Sequence, residues 1–207
     1  MIGSAQEGLK EYHGWHRPWA PQMAALKQGL FPAAAALGPG LYTALGDARL
    51  CDSVLRTLTP AFVDGLSALW IDAGRSFDGD LLAQAAGTSR AAKSALSRIR
   101  LSIPGDAHAL ESALCVHLPE VWRGEPIVLA DPLLPLSDTR LSEIDARRVF
   151  SRMLDAVASI AATWIVLAIP RKGLPERLRM IERLTAVSRQ VVLLESGRLV
   201  PAPKRPS

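Results

Sequence analysis

From Leu41 onward the chain alternates short apolar runs with longer stretches of helical period, and this rhythm restricts the fold more than any single motif. Six runs read as strands: Leu41–Leu45, Ala68–Asp72, Arg98–Ser102, Ile127–Ala130, Trp164–Ile169 and Val191–Glu195. Helices are expected in the gaps, because short buried strands separated by helical segments mark a parallel sheet with crossover helices. The clearest helix spans Ser142 to Ala162. Ile144, Val149, Phe150, Met153, Leu154, Val157 and Ile160 form its apolar stripe, with Arg148, Arg152 and Asp155 on the other side. A second helix runs from Pro175 to Arg189, with proline suited to the first turn and Leu178, Ile181 and Leu184 turned inward. Glu195-Ser196-Gly197-Arg198 reads as a hairpin turn into a short last strand at Leu199–Val200. The expected fold class is α/β, a mainly parallel sheet flanked by helices and closed by a C-terminal hairpin.

With 207 residues, 49% of them hydrophobic and 21% charged, the chain can bury one sizeable core. Residues 1–40, rich in Trp, Pro, Gly and Ala, read as an N-terminal arm, 41–200 as the core and 201–207 as a disordered tail. The longest apolar candidate for a membrane span, Ala156 to Pro170, is too short for the ~20 residues of a membrane helix, and the other uncharged run, Gln28 to Gly46, is broken by Pro32, Pro39 and several glycines. Met1 to Lys10 has neither the basic nor the apolar part of a secretory signal, so a cytoplasmic location is expected. Cys51 and Cys115 fit no metal spacing and read as reduced core or near-core thiols. His13, His16, His108 and His117 form no ligand set with them, and no metal is expected.

Net charge is +4 but uneven, because residues 140–207 carry 13 basic and 6 acidic side chains. Most of the basic residues are arginine, which suits phosphate and carboxylate; a genome rich in G and C gives the same bias. Both readings stay open.

A phosphate-binding loop needs glycines that let backbone N–H groups cradle phosphates, a lysine to neutralise them and a hydroxyl for Mg²⁺. After the first strand this chain offers only Gly46-Asp47-Ala48-Arg49-Leu50, with no lysine, and Asp47 sets a negative charge where polyphosphate would sit. The second strand continues as Trp70-Ile71-Asp72-Ala73-Gly74-Arg75-Ser76-Phe77, and the fourth, Pro126-Ile127-Val128-Leu129-Ala130-Asp131, is an apolar strand ending in aspartate.

In order and hydrophobic pattern, Ser67 to Leu114 and Glu125 to Glu195 resemble the core of the RecA/RadA recombinase-like superfamily. In that family the second of these strands ends in Asp-x-Glu, whose glutamate polarises the attacking water; here Gly74 stands in that place. Asp131 resembles the Walker B aspartate, a position that any buried strand ending in a turn also produces. The resemblance implies a degenerate, non-catalytic relative, a RecA-fold pseudo-ATPase with no cofactor, and in size class and poor phosphate loop the chain also resembles the ImuA-like branch of bacterial mutagenic repair.

In the same family the loops after the Walker B strand and the next strand face DNA, which implies DNA contacts for Pro132 to Arg140 and Pro170 to Arg179. Arg171, Lys172, Arg177 and Arg179 make the second segment basic, with Glu176 as its one acid. Such a cluster suits a phosphate backbone, and equally a solvated helix start with Glu176 paired to Arg179. It has no aromatic residue for base stacking. Phe31-Pro32-Ala33-Ala34 matches the short Phe-x-x-Ala segment by which recombinases polymerise, and Trp15 and Trp19 read either as partner anchors or as a cover for the chain's own core.

The function these readings favour is a non-catalytic accessory in DNA repair or recombination that binds a partner ATPase, recombinase or polymerase. Three alternatives remain: direct DNA binding through the 170–179 segment, a true enzyme or nucleotide-binding regulator with a non-standard site around Asp72, Asp131 and Arg75, and a clock- or signalling-type KaiC-like regulator that shares the fold.

Overall fold

The computed structural model describes residues 38–170 and 175–202, with the side chains of 175–177 outside the description. Trp15, Trp19, Phe31, Arg171 and Lys172, together with most of the arm and most of the tail, therefore lie outside the described residues, as does the side chain of Arg177.

Seven strands form one sheet: β1 (Gly40–Leu45), β2 (Ala68–Asp72), β3 (Ile99–Ser102), β4 (Ile127–Ala130), β5 (Thr163–Ala168), β6 (Gln190–Glu195) and β7 (Arg198–Pro201). Their order is β3-β2-β4-β5-β1-β6-β7, parallel except for the β6–β7 hairpin. Each expected strand lies within a residue or two of its observed bounds. The hairpin turn places Ser196 at φ 49° and Gly197 at φ 78°, the left-handed pair that suits a two-residue hairpin.

The helices divide between the two faces. On one lie α1 (Leu50–Val63), α2 (Gly79–Ala86) and α3 (Ser89–Leu96). On the other lie α4 (Ala107–Ser112), which passes through a π-helical turn (Ala113–His117) into α5 (Leu118–Val121), then α6 (Glu143–Ser159) and α7 (Pro175–Val187). Because side chains alternate along a strand, each strand serves both cores. Trp70 and Val128 face the α1 side, whereas Leu69, Ile71, Ile127 and Leu129 face the α6 side. Helix starts are written into the sequence: the side chains of Asp78, Thr88, Asp106 and Ser142 accept backbone N–H groups of the first turns of α2, α3, α4 and α6.

Two residues depart from the expected stripes. Ile144 is 80% exposed and Leu178 53% exposed, although both fit the period of their helices. Each sits in the opening part of its helix and stays outside the buried cluster; periodicity gives the inward side of a helix, not how far the core extends along it. Cys51 is buried and Cys115 partly so, both free thiols. Among the described residues no helix is long and apolar enough to cross a membrane.

Candidate functional site

The carboxyl ends of β2, β4, β5 and β1 lie side by side, and in open α/β sheets this edge is where ligands bind. The segments singled out in the sequence converge here. Gly46–Arg49 follows β1, Asp72–Phe77 ends β2, Asp131 follows β4, and Ile169–Pro170 follows β5.

The β1–α1 connection is a tight turn. The Asp47 carboxylate accepts the Arg49 backbone N–H at 2.9 Å, and Arg49 Nη2 reaches Asp47 Oδ2 at 2.6 Å. These hydrogen bonds from Arg49 hold the Asp47 carboxyl below the usual carboxylate range. The charge expected to repel polyphosphate is thus matched within its own turn. Leu194 of β6 lies against the turn, so that a Cβ at Gly46 would lie 2.7 Å from Leu194 Cβ. Leu50 and Cys51, which open α1, are buried rather than presented to a ligand.

At the end of β2 the carboxylate of Asp72 is turned inward. It accepts the Ser76 N–H (3.0 Å), the Ser76 hydroxyl (3.1 Å) and the Phe77 N–H (2.7 Å). A short polar side chain that ties down the following turn is a structural device. Phe77 is thereby held edge-on to the Trp70 ring, with centroids 5.4 Å apart. Ser76 Oγ also lies 2.9 Å from the sulfur of Cys51, whose thiol burial pushes up to about 11. That cysteine is protonated and unreactive near neutral pH.

Gly74, in the place of the water-activating glutamate, has a local reason to be glycine. Its N–H and that of Ala73 both donate to Ala130 C=O, drawing the β2 end against β4. A Cβ at Gly74 would come within 2.8 Å of Asp131 Cβ. Asp131 is itself buried, at φ 42°, with its N–H donating to Leu167 C=O at 2.8 Å and its carbonyl accepting from Leu134 N–H. Gly74 and Asp131 fit together as a packed pair.

Arg75 also has left-handed backbone, at φ 54°, and is exposed beside them. In the Pro132–Arg140 loop Asp138 and Arg140 repeat the arrangement seen at Asp47 and Arg49. Arg140 Nη2 lies 2.6 Å from Asp138 Oδ2, and the Arg140 hydrogen bonds hold the Asp138 carboxyl at about 2. The Asp-x-Arg spacing was visible in the sequence at both places, and it pairs each arginine with a carboxylate of its own turn. Of the basic segment, Arg179 is exposed in the opening part of α7. A groove of about 330 Å³ lined by Leu114, Cys115, Arg152 and Asp155 lies away from this edge, beside the later turns of α6. Among the described residues no cluster of three or more His, Cys, Asp or Glu could hold a metal ion.

This strand order, with helices on both faces of a mainly parallel sheet, is that of a RecA-like α/β fold. Among solved structures, the chain is similar to the crystal structure of the RadB recombinase, with a TM-score of 0.55 and 18% sequence identity over 75% of this chain and 74% of that one. At that identity the likeness speaks for the fold. No family model matches the chain, and no curated protein does.

Proposed function

We propose that this chain is a non-catalytic, RecA-like accessory protein of DNA repair or recombination, which works by binding an active partner: a RecA-like ATPase, a recombinase or a polymerase. The observation that carries the reading is the β1–α1 turn, which offers no lysine, ties its one arginine to Asp47 and packs Gly46 against Leu194. The packing of Gly74 against Asp131 adds to it, since a water-activating glutamate has no room there. The likeness to RadB recombinase supports a place in recombination or repair, with the ImuA-like branch as the specific form of the proposal. Trp15, Trp19 and Phe31 are the proposed partner anchors.

A second reading, direct DNA binding by Arg171, Lys172, Arg177 and Arg179, draws support from the exposure of Arg179 near the start of α7. One experiment separates these readings: thermal melting with and without Mg-ATP, run beside a single-stranded DNA titration at low and moderate salt. The accessory reading expects no nucleotide shift, and a clear rise in Tm with Mg-ATP would overturn it. DNA binding that weakens steeply with salt, and is lost when the four basic residues become alanine, would favour the second reading.

A further inference from the structure

Over much of the surface an arginine answers to a carboxylate. Arg100 is paired with Glu125, Arg147 with Glu143, Arg148 with Asp145 and Arg152 with Glu111, as Arg49 and Arg140 are with the acids of their own turns. The stretch that holds α3 is built otherwise. From Leu81 to Gly105 the sequence has no Asp or Glu, and it carries Arg90, Lys93, Arg98 and Arg100. Arg100 is taken up by Glu125, and Arg98 donates to Gly65 C=O. Arg90 and Lys93 stand exposed on α3, and among the described residues neither meets a carboxylate. The acids that bracket the stretch are placed elsewhere: Asp80 in the first turn of α2, and Asp106 capping α4.

Local structure turns this pair outward. Gly87 ends α2 with left-handed backbone, φ 79°, and Thr88 opens α3 by accepting the Ala91 N–H at 3.2 Å. α3 rests on the core through Ala92 and Ala95, both buried. At 100° per residue, Arg90 and Lys93 then fall on the opposite side, with Cβ atoms about 5–6 Å apart. Ser94 and Ser97 complete that outer stripe, the Ser97 hydroxyl donating to Ser94 C=O. A Cβ at Gly87 would meet nothing within 4 Å, so the turn ahead of the helix is open to a large neighbour.

We infer that α3 is a contact for duplex DNA, laying Arg90 and Lys93 on successive phosphates of its backbone. Two unmatched cations on a convex helix, outside any pocket, suit a ladder of anions better than one enclosed anion. Duplex is favoured over single strand because Leu81 to Gly105 contains no Phe, Trp or Tyr on which unpaired bases could stack. The rest of the outer stripe is serine, without the Asn or Gln that reads adenine, so the contact is independent of base sequence. α3 packs on the α1 side of the sheet and α7 on the other. The inference therefore rests neither on the 170–179 segment nor on the accessory reading.

Fluorescence anisotropy of the full chain with a short labelled duplex of mixed sequence, at about 50 and 200 mM salt, tests this. Binding should weaken with salt. Arg90→Ala with Lys93→Ala should cost about tenfold or more in affinity at the lower salt and reduce the slope of log K against log salt by about 1.8. The melting temperature should not move, because both side chains are exposed. Arg147→Ala with Arg148→Ala removes the same charge from a helix whose arginines already have their acids, and should change affinity less than about threefold. A wild-type chain that ignores the duplex would overturn the inference, as would equal losses in the two pairs. So would binding lost only when Arg171, Lys172, Arg177 and Arg179 become alanine, tighter binding to single strand, or competition by polyglutamate as effective as by DNA.

Discussion

Replacing Gly74 by alanine adds one methyl group at a point where the end of β2 has no slack. The new Cβ would stand 2.8 Å from Asp131 Cβ, roughly an ångström inside ordinary carbon–carbon contact. Relief requires movement of one of two anchored segments. Ala73 and Gly74 are both tied to Ala130 C=O, and Asp131 is tied to Leu167 and Leu134. Overpacking of this kind costs about 1–3 kcal/mol, from which the reduced freedom of the unfolded chain recovers about 0.4–1 kcal/mol. The net loss should be about 1–2 kcal/mol, a fall in Tm of roughly 2–8 °C for a chain of this size. The steric term is isolated by a cycle with Asp131→Gly, which removes the opposing Cβ and suits the left-handed backbone at that position. Denaturant midpoints of the four proteins should give a coupling of about 1 kcal/mol or more, with alanine at position 74 tolerated once residue 131 is glycine. A neutral Gly74→Ala, or strictly additive effects in the cycle, would refute the close-packing argument.

Asp72→Ala should lower stability by about 2–4 kcal/mol by stranding the N–H groups of Ser76 and Phe77, and the freed Phe77 ring should alter the near-ultraviolet signal of Trp70; an unchanged denaturation midpoint would contradict the capping role. The Cys51 thiol, held up to about 11 by burial, should resist thiol reagents in the native protein at mildly alkaline pH while the part-exposed Cys115 reacts, and labelling of both at equal rates would contradict it. The same shift fixes the sign of a pH effect. Between the ordinary thiol value near 9 and about 11 the folded state retains a proton that the unfolded state has released, so this contribution is complete below that window and falls as pH rises through it. Cys51→Ala should flatten that slope.

The strands were legible because each is a continuous apolar run bounded by turn residues, and Trp164 to Ile169, buried along its length, needed only hydrophobicity to be found. The helix stripes were legible in direction but not in extent, hence Ile144 and Leu178. That Gly74 stands where the resemblance would set a glutamate could be read from the sequence, whereas its packing could not. Gly74 and Asp131 are far apart in the chain and meet only because β4 pairs with β2. The Arg100–Glu125 pair has the same origin. The π-helical turn at Ala113–His117 carries no spacing that separates it from an ordinary helix.

The position of β1 in the sheet has a consequence for the birth of the molecule. β1 is the earliest of the described strands to leave a ribosome, yet Thr43 pairs with Val166 on one side and Val191 on the other. Its neighbours are thus synthesised well after it, and the apolar residues Leu41, Tyr42 and Ala44 wait for them without their final partners. Contacts of such long sequence separation make folding slow and leave the nascent chain sticky. A chain cut short before Thr163 has no strand to receive β1, so the fold is completed late and as a whole, and the growing chain depends on whatever shelters that first strand until its carboxyl-terminal half arrives.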